Sequence, residues 1–198
     1  MKSARRSYRQ GARAHAAEQT RERILDAAVA LFWERDPDDI TLDDLAAYAD
    51  VTLQTVLRKF GSKDAVFSAA LEERSGTVME TREPPAPDPK SAIAVLVASY
   101  EQIADWNWRV LRHETAQPML RKVLAAARVQ HRAWIESSFA SALPARGRAR
   151  ERMIDALFTA LDFYVWKLHR RDLGRSREDT EDLMLGLVEA IIRARSDR

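Results

Sequence analysis

At 198 residues the chain is long enough to bury a core without disulfides and short enough to hold only one or two small domains. The absence of cysteine excludes a disulfide framework and a thiolate metal site, and fits a reducing cytoplasm. Lys+Arg of 32 against Asp+Glu of 30 leaves a formal net charge of +2, so a nucleic-acid partner would have to be held by where the cations stand rather than by their excess.

The opening "MKSARRSYRQGARAHAAEQ" carries Lys2, Arg5, Arg6, Arg9 and Arg13 against Glu18 alone. It lacks the apolar core of a signal peptide, and no later stretch stays apolar long enough to cross a bilayer. These features predict a cytoplasmic protein with no membrane partner. Residues 1–19 read as a basic, flexible arm, either entering a minor groove or simply disordered.

Helix periods follow, with no strand alternation. Ile24, Leu25, Ala28, Leu31 and Phe32 form one apolar stripe. Thr20 is the predicted N-cap of that helix, and Asp36-Pro37-Asp38 ends it. Thr41 and Asp44 have capping-box spacing, and Ile40 can staple against Leu45, so a second helix starts at Thr41. Asp50 stands where the chain must turn and tolerates a left-handed backbone. A third helix is predicted over 52–60, stopped by Gly61, and Ser62 caps a fourth that carries Ala65, Val66, Ala69 and Ala70.

Two short helices on a tight turn after a longer supporting helix make a helix-turn-helix. In the third helix Val56 and Phe60 point inward, four residues apart, which leaves Leu53, Gln54, Thr55, Leu57, Arg58 and Lys59 to project. Gln bonds bidentately to adenine, Arg and Lys to guanine, and an apolar side chain meets a thymine methyl, so this face is suited to read bases in a major groove. Thr41, Thr52 and Lys63 lie at helix starts, where hydroxyls, backbone N–H groups and an ammonium suit phosphates.

The ordered set Phe32, Thr41, Leu45, Ala46, Val51, Thr52, Thr55, Phe60, Ser62, Lys63, Asp64 and Phe67 resembles the amino-terminal pattern of the TetR family of bacterial transcriptional regulators, over roughly residues 20–71. The departures are Asp50 at the family's turn glycine, Leu57 at its recognition-helix tyrosine and Lys59 at the following aromatic or histidine. Asp43 lies near where some members touch DNA. The resemblance implies a double-stranded DNA operator as partner.

Beyond residue 80, "TREPPAPDPK" brings four prolines into 81–90 and reads as a semi-rigid linker between a DNA-binding domain, 20–80, and a second helical domain, 91–198. There, Ile93, Val97, Tyr100 and Ile103 share a face of a helix ending near His113, and Pro118 opens another running through Trp134 and Phe139. Pro144 to Gly147 precedes a long helix predicted over 149–173, closed by Gly174; Ser176 and Asp179 cap the last. Met153, Leu157, Leu161 and Leu168 occupy one face of the first, and Leu183, Met184, Leu187, Val188, Ile191 and Ile192 spread around the second. Helices apolar on several sides need cover on several sides, and Gly186 would let a partner backbone approach. A homodimer through 149–195 is expected, as the resemblance also implies.

The resemblance further implies a pocket for a small, largely apolar effector, with Trp106, His113, Trp134 and Phe163 as its candidate lining. Tilting the fourth helix would move Arg58 and Lys59, and the resemblance implies that the ligand favours the released state, so a ligand-released repressor is the expected function. The alternatives are a constitutive DNA-binding regulator without effector and a helical enzyme. No catalytic residue, cofactor or metal is predicted: none of His15, His113, His131 and His169 stands in an H-E-x-x-H spacing, and no glycine-rich phosphate loop is present. His169 and Asp172, one turn apart, read as a local surface pair. The fold class is all-α, a helix-turn-helix domain followed by a larger helical effector-binding and dimerisation domain.

Overall fold

A computed structural model describes residues 2–80 and 88–196. The described residues are helical or in turns, without a strand. The chain divides into two compact units, Met1–Arg74 and Ser75–Arg198. Most of the proline segment, 81–87, lies outside the described residues.

In the first unit α1 runs Lys2–Glu34. The backbone of the residues predicted as a flexible arm is therefore helical, because "ARAHAAEQ" is rich in good helix formers and no proline precedes Pro37. Thr20 does not cap: its hydroxyl donates to the Ala16 carbonyl, 2.8 Å, one turn back inside the helix. The helix ends where Pro37 disfavours a helical residue before it. Asp36 then caps a 3₁₀ turn, Pro37–Asp39.

The helix α2, Leu42–Tyr48, opens on the predicted capping box. Thr41 N–H donates to Asp44 Oδ2 at 2.8 Å and Asp44 N–H to Thr41 Oγ1 at 3.1 Å. The Thr41 hydroxyl bond, then the Thr41 backbone bond and the Arg35 guanidinium, hold the Asp44 carboxyl down at about 2. At the other end Asp50 adopts φ 51°, its N–H reaching the Ala47 carbonyl and Val51 N–H the Ala46 carbonyl. That paired bonding satisfies the last free carbonyls of α2 and reverses the chain in a few residues.

Thr52 caps α3, Leu53–Phe60, by accepting from Thr55 N–H, and Gly61 closes it at φ 80°. Ser62 accepts from Ala65 N–H and starts α4, Lys63–Glu80. Ile24, Leu31 and Phe32 of α1, Leu45 of α2, Val56 of α3, and Val66 and Phe67 of α4 are buried, so each helix presents one apolar stripe to a common core.

The second unit contains α5, Pro89–Arg112, which Asp88 caps with Pro89 in its first turn, so the helix begins inside the segment predicted as linker. It is followed by α6, Pro118–Ser138, and α7, Arg148–Ala160. The single long helix predicted over 149–173 is broken. Asp162 turns extended (φ −70°, ψ 149°), accepts from Tyr164 N–H and caps a new short helix, α8, Phe163–Lys167. The Leu161 carbonyl, which a continuous helix would bond, instead accepts from the buried Tyr100 hydroxyl at 2.9 Å.

A π turn, Leu168–Asp172, continues from α8. Gly174 at φ 63° and the Ser176–Asp179 capping pair lead into α9, Arg177–Ser196. His169 and Asp172 do not pair. His169 Nδ1 lies 3.1 Å from the buried Thr180 hydroxyl, and Asp172 accepts from Lys167. The core of this unit gathers Tyr100, Trp134, Ile154, Leu157, Trp166 and Val188 from α5 to α9.

Candidate nucleic-acid interface

The turn between α2 and α3 fixes which faces of α3 are available. Val56 is wholly buried and Phe60 half-buried, so the predicted inward pair anchors the helix. Gln54, Leu57 and Arg58 are exposed, and Leu53 and Thr55 are half-buried at the edges. At 3.6 residues per turn, Thr52, Thr55 and Lys59 fall on the flank nearer α1, Gln54 and Leu57 on the open side, and Arg58 at the corner between them.

Several predicted contact residues are engaged within the unit. Thr41 is occupied in its capping box. Thr52 Oγ1 accepts from Thr55 N–H and lies 3.0 Å from Thr55 Oγ1. Lys59 Nζ donates to the Ala17 carbonyl at 2.6 Å, bracing α3 against α1. Lys63 Nζ donates to the Pro37 carbonyl at 2.8 Å, closing the 3₁₀ turn onto the start of α4. The two lysine bonds are tertiary contacts that engage ammonium groups the sequence assigns to DNA.

A groove of about 370 Å³ opens between α1 and α3. Its polar lining consists of Thr20 and Arg23 of α1 with Thr52, Thr55, Arg58 and Lys59. Sequence reasoning missed Thr20 and Arg23. The signal was available in the unbroken helical composition of 12–19, which carries α1 past Thr20 and sets both residues beside α3.

In the second unit the four predicted effector residues do not share one environment. Trp134 and Phe163 are buried core members: Trp134 stacks on His131 with centroids 5.8 Å apart, and Phe163 meets Tyr100 edge-on at 5.4 Å. Trp106 is half-buried on α5, and His113 stands half-buried at its end. Among the described residues no group of three or more His, Asp or Glu is placed to hold a metal. No helix there is long and apolar enough to cross a membrane.

Residues 24–70 match the family model described as bacterial regulatory proteins, tetR family. Over this segment the chain is similar to the TetR family. The match covers α2, α3 and the packing stripe of α1, the elements that set the turn. Over 87 residues the chain is 36% identical to the HTH-type transcriptional regulator SrpR of Pseudomonas putida, a stretch covering 44% of this chain and 41% of SrpR. The chain thus matches about two fifths of the length of that curated relative.

Solved structures share the fold. A candidate transcriptional regulator of Pseudomonas aeruginosa PAO1 superposes with a TM-score of 0.70 at 14% identity, covering 89% of this chain and 91% of that one. A TetR-family transcriptional regulator of Streptomyces coelicolor gives 0.66 at 18%, covering 88% and 79%. The fatty acid degradation regulator FadR of Bacillus halodurans gives 0.61 at 15%, covering 87% and 94%. The likeness extends over most of the chain as an all-α fold of an amino-terminal helix-turn-helix domain and a larger helical domain.

Proposed function

We propose that this chain is a TetR-type, sequence-specific DNA-binding repressor that acts as a homodimer and is released from its operator by a small, largely apolar effector. The observation that carries the reading is α3 itself. It is anchored by wholly buried Val56 after a left-handed turn at Asp50, with Gln54, Leu57 and Arg58 exposed on its outward side. An amide and a guanidinium on one exposed helix face match adenine and guanine edges, and Leu57 suits a thymine methyl.

The dimer reading is supported by Leu183 and Leu187, one turn apart on α9 and each 38% exposed beside the exposed Gly186. Two copies of α3 would then address half-sites about 34 to 36 Å apart, or a multiple of that. The effector reading rests on the similarity to the TetR family and on the aromatic content of the second unit around Trp106, His113, Trp134 and Phe163. A ligand that favours the released state by about 1 to 3 kcal/mol would weaken operator binding about 5- to 150-fold, and the operator would weaken the ligand equally.

The decisive experiment is to enrich genomic DNA fragments on the purified protein, sequence them, and measure Gln54→Ala and Arg58→Ala on the enriched site by gel shift. Each substitution is expected to cost about 1 to 3 kcal/mol and to relax preference at one base position. Unchanged affinity and preference in both variants would sink the assignment of α3.

A further inference from the structure

The flank of α3 that faces α1 has a chemistry different from its outward side. The groove there is lined by Arg23, Arg58 and Lys59 together with threonine hydroxyls, and none of its lining residues is a carboxylate. Its hydrogen-bonding character is biased towards donors. Lys59 spends one N–H on the Ala17 carbonyl and keeps two. The Thr52 and Thr55 hydroxyls share one bond while Thr52 Oγ1 also accepts from Thr55 N–H, so whichever hydroxyl donates to the other, one proton of the pair is left over. The Thr20 proton is committed to the Ala16 carbonyl.

Arg23 is the member from α1, its guanidinium 4.0 Å from the Asp50 carboxylate, beyond hydrogen-bond distance. A cluster of donors at an open surface groove suits an acceptor-only anion, and the non-bridging oxygens of a phosphate are such acceptors. Arg58 sits both on the groove and beside the exposed Gln54 and Leu57, so a chain passing the outward side of α3 would run directly into the groove.

Resting on the DNA-binding reading, the geometry points to this groove as the seat of a DNA backbone phosphate, with Arg23 as its principal ligand from α1. Lys59 exchanges the Ala17 carbonyl for a phosphate oxygen when DNA arrives. The contact sets affinity and register and carries no base preference. Asp50 opposes it: its carboxylate draws on the same guanidinium and repels the incoming phosphate. The residue that makes the turn therefore also attenuates the grip.

The test compares the intact protein with Arg23→Ala and Asp50→Asn, the asparagine chosen because it keeps the left-handed turn. Affinity is measured against salt on the enriched site and on a scrambled duplex, with thermal midpoints recorded to show that both variants are folded. Arg23→Ala should weaken both duplexes by the same factor and reduce the slope of log affinity against log salt by about one. Asp50→Asn should tighten both.

A folded Arg23→Ala protein with an unchanged salt slope, or one that loses preference for the site over the scrambled duplex, overturns the proposal while leaving α3 as the reading helix. Failure of the intact protein to bind any duplex overturns the DNA-binding reading itself. Inorganic phosphate that, at equal ionic strength, displaces the duplex from the intact protein but not from Arg23→Ala would reassign the groove to a free anion and overturn the DNA-backbone assignment.

Discussion

Asp50 and Asp162 each interrupt a helical run, and they do so by different physics. Asp50 is exposed and adopts a left-handed backbone; local bonds to Ala47 and Ala46 complete its turn. Asp162 keeps an ordinary extended φ, is half-buried, and leaves a carbonyl that needs the hydroxyl of Tyr100, 61 residues away in sequence, to satisfy it. The first interruption is closed within six residues. The second combines a local cap at Tyr164 N–H with a hydroxyl from a distant part of the chain.

The contrast can be broken at its packing end with the largest effect. Trp166, wholly buried on α8 immediately beyond the Asp162 break, lies 5.9 Å from the Tyr100 ring and 5.2 Å from that of Phe163. Trp166→Ala should cost about 3 to 5 kcal/mol in urea unfolding of the second unit. A loss below about 1 kcal/mol would mean that the break is held locally after all.

Smaller effects should separate the two aspartates. Asp50→Val places a β-branched residue at φ 51° and should cost about 1 to 2 kcal/mol, whereas Asp50→Gly should be neutral or stabilising. Equal destabilisation by both would show that the Asp50 side chain, rather than its backbone angle, holds the turn. Asp162→Ala removes a cap and should cost about 1 kcal/mol. Thermal unfolding that is unchanged by Asp162→Ala would leave Tyr100 and the core as the whole cause of the break.

The subtlest difference is in the sign of pH dependence, and here Asp44 serves as the counterpart to Asp162. The Asp44 carboxyl is held at about 2 against an ordinary 3.8, so the stability it contributes is complete above the ordinary value and is lost as pH falls from there through about 2. Burial pushes Asp162 the other way, partly offset by the Tyr164 N–H and Arg128. Its folded form prefers the proton, so its contribution declines as pH rises above the ordinary carboxylate value. Thermal midpoints across this acid range should therefore show Asp44→Asn flattening the acid-side loss and Asp162→Asn removing a decline on the rising side. The same direction of change in both variants would contradict the assignment of burial to Asp162.

These examples show what the sequence makes legible. The Thr41 and Asp44 box, the turn at Asp50, the start of α3 at Thr52, and the closures at Gly61 and Gly174 all depend on residues a few positions apart, and all appear as predicted. The Asp162 break lies inside an unbroken apolar period, and nothing within four residues announces Tyr100. Lys59 shows the same limit at the candidate interface: it reads as an exposed cation until the fold brings the Ala17 carbonyl, 42 residues earlier, to its Nζ. Thr20 misled in the opposite sense. A residue suited to capping was placed inside a helix whose upstream composition was already helical.

The π turn Leu168–Asp172 has a consequence for comparing this chain with its relatives. Leu173 N–H bonds the Leu168 carbonyl at 2.9 Å, five residues back, so this turn holds one residue more than an ordinary helical turn. A relative that has a plain α turn here would align with a one-residue gap near Arg170 and Arg171 while α9 stayed in register on both sides. In this chain the extra residue is accommodated by a single turn, with Lys167 and Asp172 ion-paired across it.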